Sequence, residues 1–194
     1  MEEQELISRG RAGDVEAFNL LVEQYQRMVY NLALRMLGNA EAAEDATQDA
    51  FVSAYKAIGK FRGGSFKAWI LRIAVNSCHD KLRVARRVRV TSLDTLLEES
   101  EALPLVDNAE SPEDYVLRRE LGRFLGEGLA HLPVDQRMVV ILPDIQGLSY
   151  EEISQATSSS LGTVKSRLSR GRSRLRDFLL QHRELLPVEF RQDK

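Results

Sequence analysis

The chain has one cysteine, Cys78, and three histidines among its 194 residues. A single cysteine excludes an intrachain disulfide, and so few Cys and His residues leave no basis for a zinc site. His79 has no second ligand near it in sequence, so it is given no metal role. Long apolar runs are also missing. The longest, Met138 to Leu142, is far short of the roughly 20 residues a membrane-crossing helix needs. The N-terminus, MEEQELISRG, is charged and lacks the apolar core of a signal peptide. A soluble, cytoplasmic chain without membrane insertion is the expectation. There is no internal repeat and no low-complexity tract. No nucleophile–base pair, metal cluster or phosphate-binding glycine loop is found. Catalysis, a cofactor, a bound metal and a small-molecule substrate are therefore not expected.

What the chain does have is unevenly placed charge. The formal net charge is −2. Residues 91 to 115 contain eight acids (Asp94, Glu98, Glu99, Glu101, Asp107, Glu110, Glu113, Asp114) and no Lys or Arg. Without them 27 bases face 21 acids, a net of +6. Two mildly basic blocks thus flank an acidic segment. Residues 91 to 110 have no sustained apolar period and read as a flexible linker.

On either side the apolar spacing is helical. Residues 3 to 10 suit a short helix with Leu6 and Ile7 inward. After Gly13-Asp14, Phe18, Leu21, Tyr25, Val29, Leu32 and Met36 keep a 3.6-residue period. Gly38 ends that helix and Asn39 caps the next, Ala40 to about Ile58. Its inward face is expected to be Phe51, Ala54, Tyr55 and Ile58, with Thr47 one turn earlier, and Ala43 and Ala50 allow close approach of a neighbour. Its other face carries Glu41, Asp45, Gln48, Asp49, Val52 and Lys56, which suits either a solvated or a docking surface. Gly59 stops the helix, and residues 60 to 65 form a glycine-containing loop with Ser65 as an N-cap. A third long helix follows from Phe66 to about Arg89. Phe66, Trp69 and Ile70 fall on its buried stripe, while Arg72, Asn76, His79, Asp80 and Arg83 lie opposite. Aromatics beside a glycine loop and a basic helix suit single-stranded or distorted DNA, although the spacing of Trp69 is that of a core residue.

Beyond the linker, Ser111-Pro112-Glu113-Asp114 starts a helix and Leu132-Pro133 begins another. Pro143 inside the latter should kink or shorten it. The segment GLSYEEISQATSSSLGTVKSRLSRGRSRLR then reads as two helices around a polar turn. Ser149 and Glu152 make a capping box. Thr157 to Ser160 break the pattern, because hydroxyl side chains compete for backbone hydrogen bonds. Val164, Leu168, Gly171, Leu175 and Phe178 form the stripe of the second helix. Lys165, Arg167, Arg170, Arg172, Arg174 and Arg176 occupy its other faces, with no acid until Asp177. An ordinary solvated face mixes signs. A short helix, a small-residue turn and a basic second helix is the helix-turn-helix arrangement, whose second helix enters the major groove.

Taken together, GDVEAFNLLVEQY, AEDATQDAFVSAYKAIGKFRG, FKAWILRIAVNSCHDKLR, HLPVDQRMVVIL and GLSYEEI with GTVKSRLSRGRSRLR resemble the group 4, or extracytoplasmic-function (ECF), bacterial sigma factors. The resemblance covers nearly the whole chain. It implies an all-α fold of two small domains: sigma region 2 over residues 1–90 and sigma region 4 over 111–180. The acidic linker at 91–110 joins them and 181–194 form a tail. It implies core RNA polymerase, promoter DNA and an anti-sigma factor as partners. Asp45, Gln48, Asp49 and Phe51 correspond to the polymerase-docking helix. Phe61, Arg62, Gly63, Gly64 and Ser65 correspond to the loop that captures a flipped base of the −10 element, with Arg72, Asn76 and Arg83 on the helix beside it. Base extrusion costs a few kcal/mol, which a pocket must supply. Gly162, Thr163, Lys165, Ser166, Arg167, Ser169 and Arg170 correspond to the reader of the −35 element. The chain departs from the family where Gly64 replaces a common charged residue and Thr157-Ser158 replace Leu-Gly in the turn.

Three rivals fit less of the sequence. A sigma-mimic that sequesters an anti-sigma factor would not need the basic rows. A stand-alone helix-turn-helix repressor would not explain the first domain. A recombinase would need a catalytic Ser, Tyr or carboxylate cluster.

Overall fold

The computed structural model describes residues 2–91 and 112–185. The expected acidic linker, except for Thr91, and the last residues of the expected tail lie outside them. Among the described residues the structure is helical throughout: α1 Glu3–Arg11, α2 Val15–Leu37, α3 Ala40–Ala57, α4 Phe66–Thr91, α5 Pro112–Ala130, α6 Val134–Gln146, α7 Tyr150–Thr157 and α8 Leu161–Gln181. A short 3-10 turn, Ile58–Lys60, follows α3, and another, Arg183–Leu185, follows α8.

The boundaries follow from local chemistry. Asp14 caps α2 by accepting the Ala17 N–H at 3.1 Å and is held by the Arg9 guanidinium at 2.7 Å. Its pKa lies below the usual carboxylate range, first because of the Ala17 N–H bond and then because of Arg9. Gly38 takes the left-handed conformation (φ 74°) that closes α2, and Asn39 accepts the Ala42 N–H at 2.8 Å to open α3. A side-chain cap satisfies one of the donors that a helix start leaves without an intrahelical partner.

In the first domain α1, α3 and α4 surround α2, whose Phe18, Leu21, Tyr25, Val29, Leu32 and Met36 are buried. The buried row of α3 keeps the expected Ala54 and the close-approach alanines Ala43 and Ala50, but not the aromatics expected beside them. It consists of Ala43, Ala46, Ala50 and Ala54. Phe51 is only half-buried, and Tyr55 is 42% exposed, its ring packed edge-on to Phe18 with the centroids 5.1 Å apart. Small side chains let helix axes approach closely, so alanines occupy the centre of the contact and the aromatics fall at its margin.

In the second domain α6 lies against α8. A Cβ on Gly171 would come within 2.8 Å of Val140 Cγ2 and 3.2 Å of the Gln136 carbonyl oxygen, so only glycine permits this approach. Pro143 lies inside α6, which continues to Gln146 before Gly147 caps it with φ 63°. The proline therefore does not shorten the helix there. It sits in the last turn, where it removes the N–H that would otherwise donate to Val139 O.

The two domains also pack on each other. α7 runs along α4, and α6 rests near the end of α2. Arg137, which is buried, donates from Nη1 to the Met36 carbonyl of the first domain. Its Nη2 donates to Ala130 O at 2.6 Å and Leu132 O at 3.3 Å. A cation suits these positions because helix C-termini carry partial negative charge. Burial pulls the Arg137 pKa below its ordinary value, and the carbonyls provide partners for the buried charge.

Candidate nucleic-acid interface

The helix-turn-helix is held by polar contacts of the kind its sequence suggests. Ser149 Oγ accepts the Glu152 N–H at 3.2 Å, and a Glu152 carboxylate oxygen accepts the Ser149 N–H at 2.9 Å, completing the capping box. Ser158 closes α7 in the left-handed region, with φ 50°. Ser154 Oγ donates to Ser159 O at 2.6 Å, and Ser160 caps α8 by accepting the Thr163 N–H at 3.2 Å. Ile153, Ala156, Val164 and Leu168 are buried between the two helices and α6.

This scaffold sorts the expected −35 residues. Gly162, Lys165, Ser166, Ser169 and Arg170 are exposed on α8. Thr163 is half-buried and its hydroxyl pairs with that of Ser160 at 2.9 Å. Arg170 lies along its own helix, donating to Ser166 O at 3.2 Å and Ser166 Oγ at 3.3 Å. Arg167 points elsewhere. It donates to Asp135 Oδ2 at 2.7 Å and to Ser159 Oγ at 3.1 Å, so it braces α8 to α6 and the turn. Beside α8 a groove of about 470 Å³ is lined by Tyr150, Lys165, Ser169, Arg172 and Arg176, among others. Tyr150 had no signal in the sequence, because its place at the groove depends on how α7 crosses α8.

The expected −10 residues form a second surface. Phe61 is buried. Its ring lies 5.6 Å from Phe66 and 5.3 Å from Trp69, so it anchors the loop from below. Trp69 is half-buried against the core, as its spacing suggests. Arg62, Gly63 and Gly64 are exposed, and the two glycines have φ of 97° and 90°. Ser65 accepts the Ala68 N–H at 3.2 Å and caps α4. Along α4, Arg72, Asn76 and Arg83 are exposed, with Arg83 paired to Asp80 at 2.9 Å.

Asp45 and Asp49 lie on α3 with side chains 62% and 61% exposed. Both are bridged by Lys81 of α4, at 3.1 and 3.2 Å. Partial burial pulls the Lys81 pKa down, but the hydrogen bonds to the two aspartates outweigh it and the net shift is upward. Gln48 is exposed beside them and Val52 is 47% exposed. Lys81 is absent from the expected site because the pairing needs the α3–α4 packing. No group of three metal-ligating side chains occurs among the described residues.

Two family models match the chain: Sigma-70 region 2 over residues 21–88 and Sigma-70, region 4 over residues 125–175. The first spans both the α3 face and the loop and α4 beside it, and the second spans the helix-turn-helix. The chain is 38% identical to the RNA polymerase sigma-H factor of Pseudomonas aeruginosa over 175 residues, covering 88% of this chain and 90% of that protein. It is 37% identical to the ECF RNA polymerase sigma-E factor of Escherichia coli K12, covering 89% of this chain and 91% of that one. The chain belongs to the ECF sigma factors. Among solved structures it is similar to the sigma factor RpoE of Bartonella quintana, determined in complex with the anti-sigma factor NepR. The TM-score is 0.69 and the identity 26%, over 86% of this chain and 98% of that one. The all-α reading and the assignment of regions 2 and 4 agree with these likenesses.

Proposed function

We infer that this ECF sigma factor binds core RNA polymerase, directs it to promoters with matched −10 and −35 elements, and assists melting at the −10 element. The observation that carries this is two separate basic surfaces on one chain. Exposed Arg62 and Arg72 flank the glycine loop of the first domain, and exposed Lys165 and Arg170 stand on the second helix of a helix-turn-helix. Phosphate contacts position such a protein and base-edge contacts give specificity. The α8 residues suit the major groove. The loop with Asn76 suits an unstacked base, since Gly63 and Gly64 have open space where side chains would stand. The acidic Asp45–Asp49 face with Gln48 and Val52 provides the docking surface for core polymerase.

The chain acts in the cytoplasm and catalyses nothing itself. Among the described residues no helix is long and apolar enough to cross a membrane. An anti-sigma factor is a further partner, as one binds the Bartonella quintana relative. The test is run-off transcription with purified core polymerase on genomic promoter fragments. Asn76→Ala should keep polymerase binding and lower the yield of open complex. Promoter-independent transcription by the unsubstituted chain, or a normal open-complex yield with Asn76→Ala, would overturn the assignment.

A further inference from the structure

Arg167 stands among the cations of α8 but is turned away from them. Its Nη2 donates to Asp135 Oδ2 at 2.7 Å and its Nη1 to Ser159 Oγ at 3.1 Å. Asp135 lies in the first turn of α6, and Ser159 lies between the end of α7 and the start of α8. One guanidinium therefore joins three parts of the second domain. Its side chain is 27% exposed, whereas Lys165, Ser166, Ser169 and Arg170 face solvent.

Both partners of Arg167 stand on ground fixed by other contacts. Next to Asp135, Gln136 and Arg137 are buried, and Arg137 donates to three carbonyls. Ser159 is held on two sides by Ser154: its N–H donates to Ser154 O at 3.1 Å, and its carbonyl accepts from Ser154 Oγ at 2.6 Å. α7 is anchored separately, by its capping box and by Ser65 of the first domain, whose hydroxyl donates to Glu152 Oε1 at 2.8 Å. α8 approaches α6 most closely at Gly171, one turn past Arg167 on the same face. Apolar burial is non-directional, so it fixes the distance between two helices better than the roll of either. A guanidinium fork with two separate acceptors is directional and fixes the roll.

We propose that Asp135 and Ser159, acting through Arg167, are positioning residues for −35 recognition. They set the roll of α8, and with it which side chains meet the bases, while Arg167 itself makes no DNA contact. This rests on the reading of α8 as the −35 helix. To reach a phosphate, Arg167 would give up both bonds and leave the Asp135 carboxylate uncompensated near the DNA backbone. Specific contacts must be held to within about 0.5 Å and 10–20°. A looser roll should therefore cost discrimination between bases, while flexible Lys and Arg side chains still follow the phosphates.

The test uses holoenzyme, a promoter that supports run-off transcription by the unsubstituted chain, and single-base −35 variants of that promoter. Discrimination is the ratio of the affinities for promoter and variant. Asp135→Ala and Arg167→Met should each lower it several-fold, and the double variant should lower it no further than either, as for residues that act as a unit. Arg167→Lys keeps the charge but not the fork, so it should lower discrimination too, whereas a phosphate contact would tolerate it. The salt dependence of promoter binding should stay that of the unsubstituted chain, because each lost phosphate contact lowers the log–log slope by about 0.9. Asp135 is exposed, so Asp135→Ala keeps the fold, and its urea midpoint is read alongside to guard against a defect in Arg167→Met. Glu151→Ala removes an acid from the first turn of α7, outside the brace, and should leave discrimination unchanged. Full discrimination in Asp135→Ala, a shallower salt slope in Arg167→Met, or tighter promoter binding by Asp135→Ala than by Glu151→Ala would overturn the positioning role. An unsubstituted holoenzyme that binds every −35 variant equally would instead sink the reading of α8 on which the role rests, so the two failures are told apart.

Discussion

Ser158 is the residue whose conformation the side chain least explains. It holds φ 50° at the end of α7, where glycine would meet no steric penalty. A left-handed non-glycine residue costs about 1–2 kcal/mol, and glycine's greater backbone freedom in the unfolded chain returns about 0.5–1 kcal/mol of that. Ser158→Gly should therefore stabilise the protein by about 0.5–1 kcal/mol, seen as a higher urea midpoint at unchanged slope. No change, or a loss, would mean that the serine hydroxyl compensates its own backbone strain. Arg170 calls for a different measurement. It lies exposed on α8, resting on Ser166, and a guanidinium there can turn toward a base edge. Arg170→Ala should weaken −35 binding by roughly 1–3 kcal/mol and relax sequence preference at one or two positions. An equal loss on every sequence, measured by titration of a promoter and its single-base variants, would make it a phosphate contact instead. Residues that serve their own element were legible in the chain: Asn39, Ser149 and Gly38 do locally what their types suggest. Cys78 is buried in the core, and burial pushes its thiol pKa up to about 12. Arg167 was not legible in this way. It looks like one more cation of the basic row until Asp135, 32 positions away, is seen to hold it.

At the scale of elements, period and caps located the helices, but did not rank the alanines above the aromatics at the centre of a contact. α3 shows why. Aromatics dominate a hydrophobic pattern, so Phe51 and Tyr55 look like the inward face. The actual contact is a row of four alanines, because close approach of α2 and α4 leaves no room for rings. The same logic applies to α6 and α8, where Gly171 is the point of closest approach. A methyl there meets Val140 Cγ2 at 2.8 Å and a backbone oxygen at 3.2 Å. Valine is stiff at χ1, so relief requires the helices to move. Overpacking costs typically 1–3 kcal/mol, against a helix-propensity gain of about 1 kcal/mol for replacing glycine with alanine. Gly171→Ala should destabilise the chain by up to about 2 kcal/mol in chemical denaturation. Gly162→Ala is its control, since the nearest atom to a methyl there is Ser160 Oγ at 3.9 Å. Equal stability of the two variants would show that α6 and α8 adjust freely at this point.

At the scale of the molecule, two helical domains were legible because each closes its own apolar stripes. Their packing on each other was not. The residues that make it, Ser65, Glu152 and Arg137, already have local roles as cap, capping box and helix-end cation. Nothing in a sequence signals that a satisfied residue has a second partner far away. Charge is the long-range property the sequence does display. The eight acids of residues 91 to 115 are set between blocks that together carry a net of +6. We predict that such a segment competes with DNA for the chain's own cations, through an attraction that salt screens over about 10 Å at 0.1 M. As the resemblance to related sigma factors implies, the same acids are expected to meet the basic interior of the polymerase in the holoenzyme. Replacing Glu98, Glu99 and Glu101 with Gln should therefore act in opposite directions in the two settings. The free protein should bind bare promoter DNA more tightly at low salt, with the gain fading as salt rises. Abortive initiation by the holoenzyme should fall. Promoter titrations across a salt series, paired with abortive initiation assays, measure both. If neither changes, the acids act only for solubility and the segment is a spacer whose charge does not matter to initiation.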